Sequence, residues 1–117
     1  MTTQDIANRL VELCRTGKND QAYQELFSDD AVGVEPAQYN MPNAVGKQAL
    51  LAKAAGWQQD VEAMHDSAIS DPIVAGDHFS LSYMIDLTTK SRGRSKMEEI
   101  CVYSVKDGKI VKEQFFH

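Results

Sequence analysis

The chain predicts an α+β domain in which three helices pack on one face of a curved, mostly antiparallel sheet. Two observations carry that expectation. Apolar residues recur at helical spacing through most of the first sixty positions, and after Val61 the period shifts toward two, as in strands. The elements are also segregated: helices come first, strands run to position 117, and one short extended segment lies between the second and third helices. No repeat, low-complexity tract or linker divides residues 1–117, so they read as a single domain. With 117 residues, 43% hydrophobic and 25% charged, there is material for one core that needs neither disulfides nor a structural metal.

Thr2 or Thr3 caps a first helix whose stripe is Ile6, Leu10, Leu13 and Cys14, widened by Ala7 and Val11 and stopped by Gly17. A second helix fits Asn19 to Ser28, with Ala22, Tyr23, Leu26 and Phe27 on its apolar side. Ala31 to Glu35 then turns extended and is closed by Pro36, which disfavours helix at Glu35. Residues 36–45 carry Pro36, Asn40, Pro42 and Asn43 and read as a loop whose Tyr39 and Met41 can fold inward. Helix resumes at Gly46 or Lys47, with Leu50, Leu51, Ala54, Trp57 and Val61 in period. Strands are expected at Glu62 to Ser70, at His78 to Thr89 and at Lys96 to Lys106. Asp107-Gly108 then turns the chain into a last strand, Lys109 to His117.

A net charge of −5 and a pI near 5.1 argue against a nucleic-acid partner, because phosphate binding needs a basic face. The one basic run, Lys90 to Lys96, reads as an exposed hairpin loop. Met1 to Asp5 lacks the basic start and apolar core of a signal peptide, and no apolar stretch approaches the roughly 20 residues of a membrane span, so the expectation is a cytoplasmic protein without a membrane partner. Cys14 and Cys101 then read as reduced thiols. A phosphate-binding glycine loop, a zinc-binding His-Glu-x-x-His helix, a Cys-x-x-Cys pair and a nucleophile elbow are all missing. No metal and no cofactor is expected.

Four segments, taken in order, carry a resemblance: Leu13 to Gly17, Leu26 to Ala31, Val34-Glu35-Pro36, and Val102 to Val111. Together they resemble the SnoaL-like branch of the nuclear transport factor 2-like superfamily over nearly the whole chain. The resemblance implies a cone-shaped fold, a pocket between sheet and helices, and a homodimer. It implies no single function, since the superfamily includes ketosteroid isomerase, polyketide cyclases, scytalone dehydratase and non-enzymatic transport factors. Glu35 before Pro36 matches the proton-shuttling carboxylate of ketosteroid isomerase. The isomerase's oxyanion tyrosine falls near Leu10 and its second acid near Ile100 or Cys101, so steroid isomerisation is not implied.

A sheet wrapped over helices leaves a cavity at its open end. Glu35 is either a solvated strand-end carboxylate or, at the mouth of that cavity, a general base whose charged form desolvation disfavours. His65 is either a pocket imidazole able to polarise a carbonyl or a hydrogen-bonded strand-edge residue. On the strand from Lys96, alternation sets Glu98 and Glu99 on opposite faces. Glu99 shares its face with Met97 and Tyr103, which makes it the candidate second acid. Trp57, Tyr103 and Tyr39 are the candidate ligand-binding residues, with core packing the plain alternative for Trp57 and Tyr103. The expected function is a pocket protein for a small apolar carbonyl compound, performing cofactor-independent proton transfer of the isomerase, cyclase or dehydratase type. The alternative is a noncatalytic ligand-binding or dimerisation domain.

Overall fold

The computed structural model describes every residue from Met1 to His117. Its first helix, α1 (Thr3–Arg15), begins in a reciprocal cap. The Asp5 amide donates to the Thr2 hydroxyl at 3.1 Å, and the Thr2 amide donates to the Asp5 carboxylate at 3.0 Å. Two amides with no intrahelical partner are thereby satisfied. Helix α1 buries Ile6, Ala7, Leu10, Val11 and Leu13, and Gly17, at φ +73°, ends the turn that follows it. Arg9 then reaches α2 (Asn19–Leu26) through two bonds to the Glu25 carboxylate, at 2.7 and 3.0 Å.

Helix α2 is shorter than the sequence pattern suggests. Phe27 and Ser28 belong to strand β1 (Phe27–Val34), and Phe27 has extended backbone angles. Ala22, Tyr23, Leu26 and Phe27 mimic a helical stripe, but pairing of Phe27 with Ile110 overrides that local preference. Beyond Pro36 the chain makes one 3₁₀ turn (Ala37–Tyr39) and the two-residue strand β2 (Ala44–Val45), where a plain loop was expected. Helix α3 (Lys47–Asp60) follows. It packs closely on β1 because Gly33 has no side chain: a Cβ there would sit 2.6 Å from Leu50 Cδ2.

The remaining chain forms β3 (Val61–Ile69), β4 (Ile73–Ala75), β5 (His78–Thr89), β6 (Gly93–Lys106) and β7 (Lys109–Phe116). Strand β6 starts three residues earlier than expected, at Gly93 rather than Lys96, and pairs with β5 over its whole length. The sheet runs β2-β1-β7-β6-β5-β3, with β4 alongside β5, and only the β1–β7 pairing is parallel. The helices cover its concave face, where Phe79, Leu81 and Leu87 of β5 meet Cys101, Tyr103 and Val105 of β6, with Ile110 beside them.

Two of the sheet's register shifts bear on the candidate site residues. In β7, Ser104 pairs with Lys112 but Val105 pairs with Ile110, so Val111 is an extra, unpaired residue. In β3, Met64 pairs with Leu87 and Asp66 with Asp86, which leaves His65 as the extra residue. Such bulges re-aim side chains, because strand alternation has a period of two.

Leu26 is 1% exposed and belongs to the single large core. Leu26→Ala should lower the free energy of unfolding by about 2–5 kcal/mol in urea denaturation, whereas truncating the exposed Ile73 should change it by less than about 0.5 kcal/mol.

Candidate functional site

The concave face and the three helices enclose a cavity of about 710 Å³, lined mostly by apolar side chains. Helix α1 contributes Leu10 and Cys14, α2 contributes Tyr23, and α3 contributes Lys53 and Trp57. The sheet contributes Tyr83, Met97 and Phe115 among others, and Tyr39 and Met41 stand exposed at the rim.

Of the residues expected to form a site, five line this cavity: Glu35, Trp57, Glu99, Tyr103 and Tyr39. His65 does not join them. As the bulged residue of β3 it is exposed, and its Nε2 lies 2.8 Å from Thr88 Oγ1, on the sheet face opposite the buried Leu87. The pocket role expected for His65 is therefore corrected to that of a hydrogen-bonded edge residue.

Neither motif nor spacing singles out Glu113, yet it is central to the cavity. It is the one buried charged residue of the chain, 3% exposed, and it faces the cavity from β7 beside its cross-strand partner Tyr103. Tyr23 Oη donates to Glu113 Oε1 at 3.1 Å. Burial pushes the Glu113 carboxyl up to about 7; the nearby Lys53 charge and the Tyr23 hydrogen bond pull it partway back. Tyr23 packs on Phe27 with ring centroids 4.7 Å apart, and Tyr103 stacks on Phe79 at the same separation, so both phenols are held by the core. Burial keeps both well above the usual tyrosine range, so each remains a hydroxyl donor at neutral pH.

Lys53 is a second residue that periodicity could have indicated, being three residues after Leu50 and four before Trp57 on one helical face. Its ammonium ion-pairs with Glu35 Oε1 and sits 4.8 Å from the centre of the Phe115 ring. Burial lowers its pKa, and the charges of Glu113 and Glu99 oppose that shift. Nearer the rim, Glu99 Oε2 lies 2.8 Å from His117 Nε2, and His117 Nδ1 lies 3.2 Å from Tyr39 Oη. Burial raises the Glu99 carboxyl, against the pull of His117. Cys101 donates to Glu99 Oε1 at 3.7 Å, and burial holds the Cys14 thiol at about 12, so neither cysteine is an activated nucleophile.

The arrangement defines a class: an α+β cavity protein with an apolar chamber, a near-neutral carboxyl group and fixed phenol donors inside it. A profile of the SnoaL-like domain matches residues 1–117, and the chain belongs to that family. A protein from Mesorhizobium loti, provisionally assigned as a SnoaL-like polyketide cyclase and also labelled a carbohydrate phosphatase, is 36% identical with a TM-score of 0.93, and each chain is covered completely. A ketosteroid isomerase-like protein from Catenulispora acidiphila, solved with trimethylamine, is 20% identical with a TM-score of 0.75; the match covers 99% of this chain and 87% of that one. TerC, co-crystallised with polyporic acid, is 15% identical with a TM-score of 0.74 over 98% of this chain and 91% of its own. The last two share the fold. No curated protein matches the chain, and no helix is long and apolar enough to cross a membrane.

Because the unfolded chain ionises Glu113 near the ordinary value of 4.5 and the folded chain near 7, the folded state binds the extra proton between those values. Stability contributed by this group is full below about 4.5 and is lost as pH rises through about 7, a loss on the order of 3 kcal/mol. Glu113→Gln removes the titration. Its stability relative to wild type should therefore be greater at about pH 8 than at about pH 5, measured by urea denaturation at both.

Proposed function

We propose that this protein binds a small apolar carbonyl compound in its cavity and transfers a proton on it without a cofactor, as an isomerase, cyclase or dehydratase does. The observation that carries this reading is Glu113, a carboxyl group poised near neutrality inside an apolar chamber. A general base works best when its pKa lies near the working pH, and desolvation supplies that here. As carboxylate, Glu113 removes a proton from the carbon next to the carbonyl. Tyr103, its neighbour across the β6–β7 ladder, offers a hydroxyl to the oxygen on which negative charge develops. Tyr23 holds the Glu113 carboxyl in position through its hydrogen bond.

Glu35 takes a different part from the base that its place before Pro36 suggested. Its carboxylate is occupied by the Lys53 ammonium. Glu99, bonded to His117, borders the chamber nearer the Tyr39 rim. Of the two labels the Mesorhizobium loti relative carries, polyketide cyclase supports a carbonyl-bearing ligand and carbohydrate phosphatase does not.

Hydrogen–deuterium exchange at the α-carbon of a panel of apolar cyclic ketones, followed by NMR, tests the proposal. Exchange should rise through about pH 7 as Glu113 ionises, and Glu113→Gln should slow it by about 10²–10⁴-fold while retaining ketone binding. Equal exchange in wild type and variant would remove Glu113 from the reaction, and binding with no exchange in either would favour the noncatalytic receptor.

We also propose a homodimer formed through the outer sheet face. Ile100 and Phe116 are paired neighbours there, 53% and 49% exposed, and adjacent large apolar residues on a sheet surface mark association sites. Light scattering should give twice the chain mass, and Ile100→Lys should reduce it to one; a monomeric wild type would refute this.

A further inference from the structure

Lys53 is the one lysine among the residues lining the cavity, and proton transfer as described leaves it unused. Its place in the cavity sets it apart from the other lysines: its ammonium lies against Phe115, 4.8 Å from the ring centre. Lys47 is less exposed and pairs with Asp29, but it does not line the cavity; the carboxylate that Lys53 contacts, as proton acceptor, is Glu35 within that lining. And Glu113, which near neutral pH is divided between acid and carboxylate, is close enough for its charge to act on the amine.

We propose that Lys53 is a nucleophile that captures an aldehyde or ketone ligand as a protonated imine; this rests on the carbonyl-ligand reading above. Glu35 accepts a proton from the Lys53 ammonium. The free amine attacks the carbonyl carbon, a C–N bond forms, and the proton left on nitrogen moves to the former carbonyl oxygen. The resulting hydroxyl takes a proton from Glu35 or from the acid form of Glu113 and leaves as water, and the nitrogen lone pair closes the C=N bond. Ammonium and carbonyl are thus converted to iminium and water, with no redox partner and no net proton change. Desolvated lysines next to a proton acceptor are suited to this step. The iminium also acidifies the adjacent carbon, so imine capture would assist proton removal by Glu113.

The test treats the full-length protein with an aromatic aldehyde, naphthaldehyde, and reduces any imine with sodium cyanoborohydride before intact-mass measurement and peptide mapping. A single dominant adduct on Lys53 is expected, formed at least about tenfold faster than on any surface lysine. Lys53→Arg should abolish that adduct, and Glu35→Gln should slow it without redirecting it. Circular dichroism establishes that each variant is folded; if Lys53→Arg is not, Lys53→Met takes its place. Labelling of surface lysines at the same rate as Lys53, in folded wild-type protein, overturns the proposal. The ketone exchange assay separates the two readings. Exchange that persists in Lys53→Arg, with no trapped adduct in wild type, removes the imine and leaves noncovalent proton transfer standing. An adduct on Lys53 without exchange supports imine capture and removes proton transfer.

Discussion

The unpaired residue Val111 is the constraint on which the site depends. A simple two-residue hairpin at Asp107-Gly108 would set Lys112 opposite Tyr103 and turn Glu113 to the outer face. With Val111 bulged out, Tyr103 faces Glu113 and Cys101 faces Phe115 instead. One extra residue exchanges the two faces of the strand beyond it. The chamber thereby receives an acid and an aromatic ring in place of a lysine and a glutamine. Ile110, before the bulge, stays in the core against Phe27, so the same strand serves packing at one end and chemistry at the other.

Placing Glu113 inside the sheet has an electrostatic cost that its surroundings only partly offset. Tyr23 gives it one hydrogen bond and Lys53 one nearby positive charge, while burial and the Glu99 carboxylate act against ionisation. A fully compensated acid would be an ordinary ion-pair partner at neutral pH, like Glu25 beside Arg9, which is held down at about 2. Incomplete compensation is what makes Glu113 responsive near pH 7. Lys53 stands at the meeting point of three carboxylates, Glu35 by direct contact and Glu99 and Glu113 through their charge.

Much of the architecture was legible because period and punctuation agree along most of the chain. His78 to Thr89 was readable to the residue, and its alternation correctly separated the buried Phe79, Leu81 and Leu87 from the outer face. The same alternation on β6 set Glu99 and Tyr103 on the concave side, where both line the cavity. Phe27 was misread because a helical stripe and a strand start look alike over four residues. His65 and Glu113 were lost for one common reason. Both lie at or just beyond a bulge, and a bulge is chosen by long-range pairing and sheet curvature rather than by any local composition. Lys53 was within reach of the pattern: a lysine on the face that carries Leu50 and Trp57 is out of place unless something inside pairs with it.

An infrared pH titration comparing wild type with Glu113→Gln tests this account most directly, since the difference isolates one carboxyl group. The protonated C=O band of Glu113 should persist through the ordinary carboxylate range and disappear only near pH 7. A band that vanishes near 4.5, or no band assignable to Glu113, would mean that the bulge does not bury this carboxyl, and the proposed chemistry would lose its base.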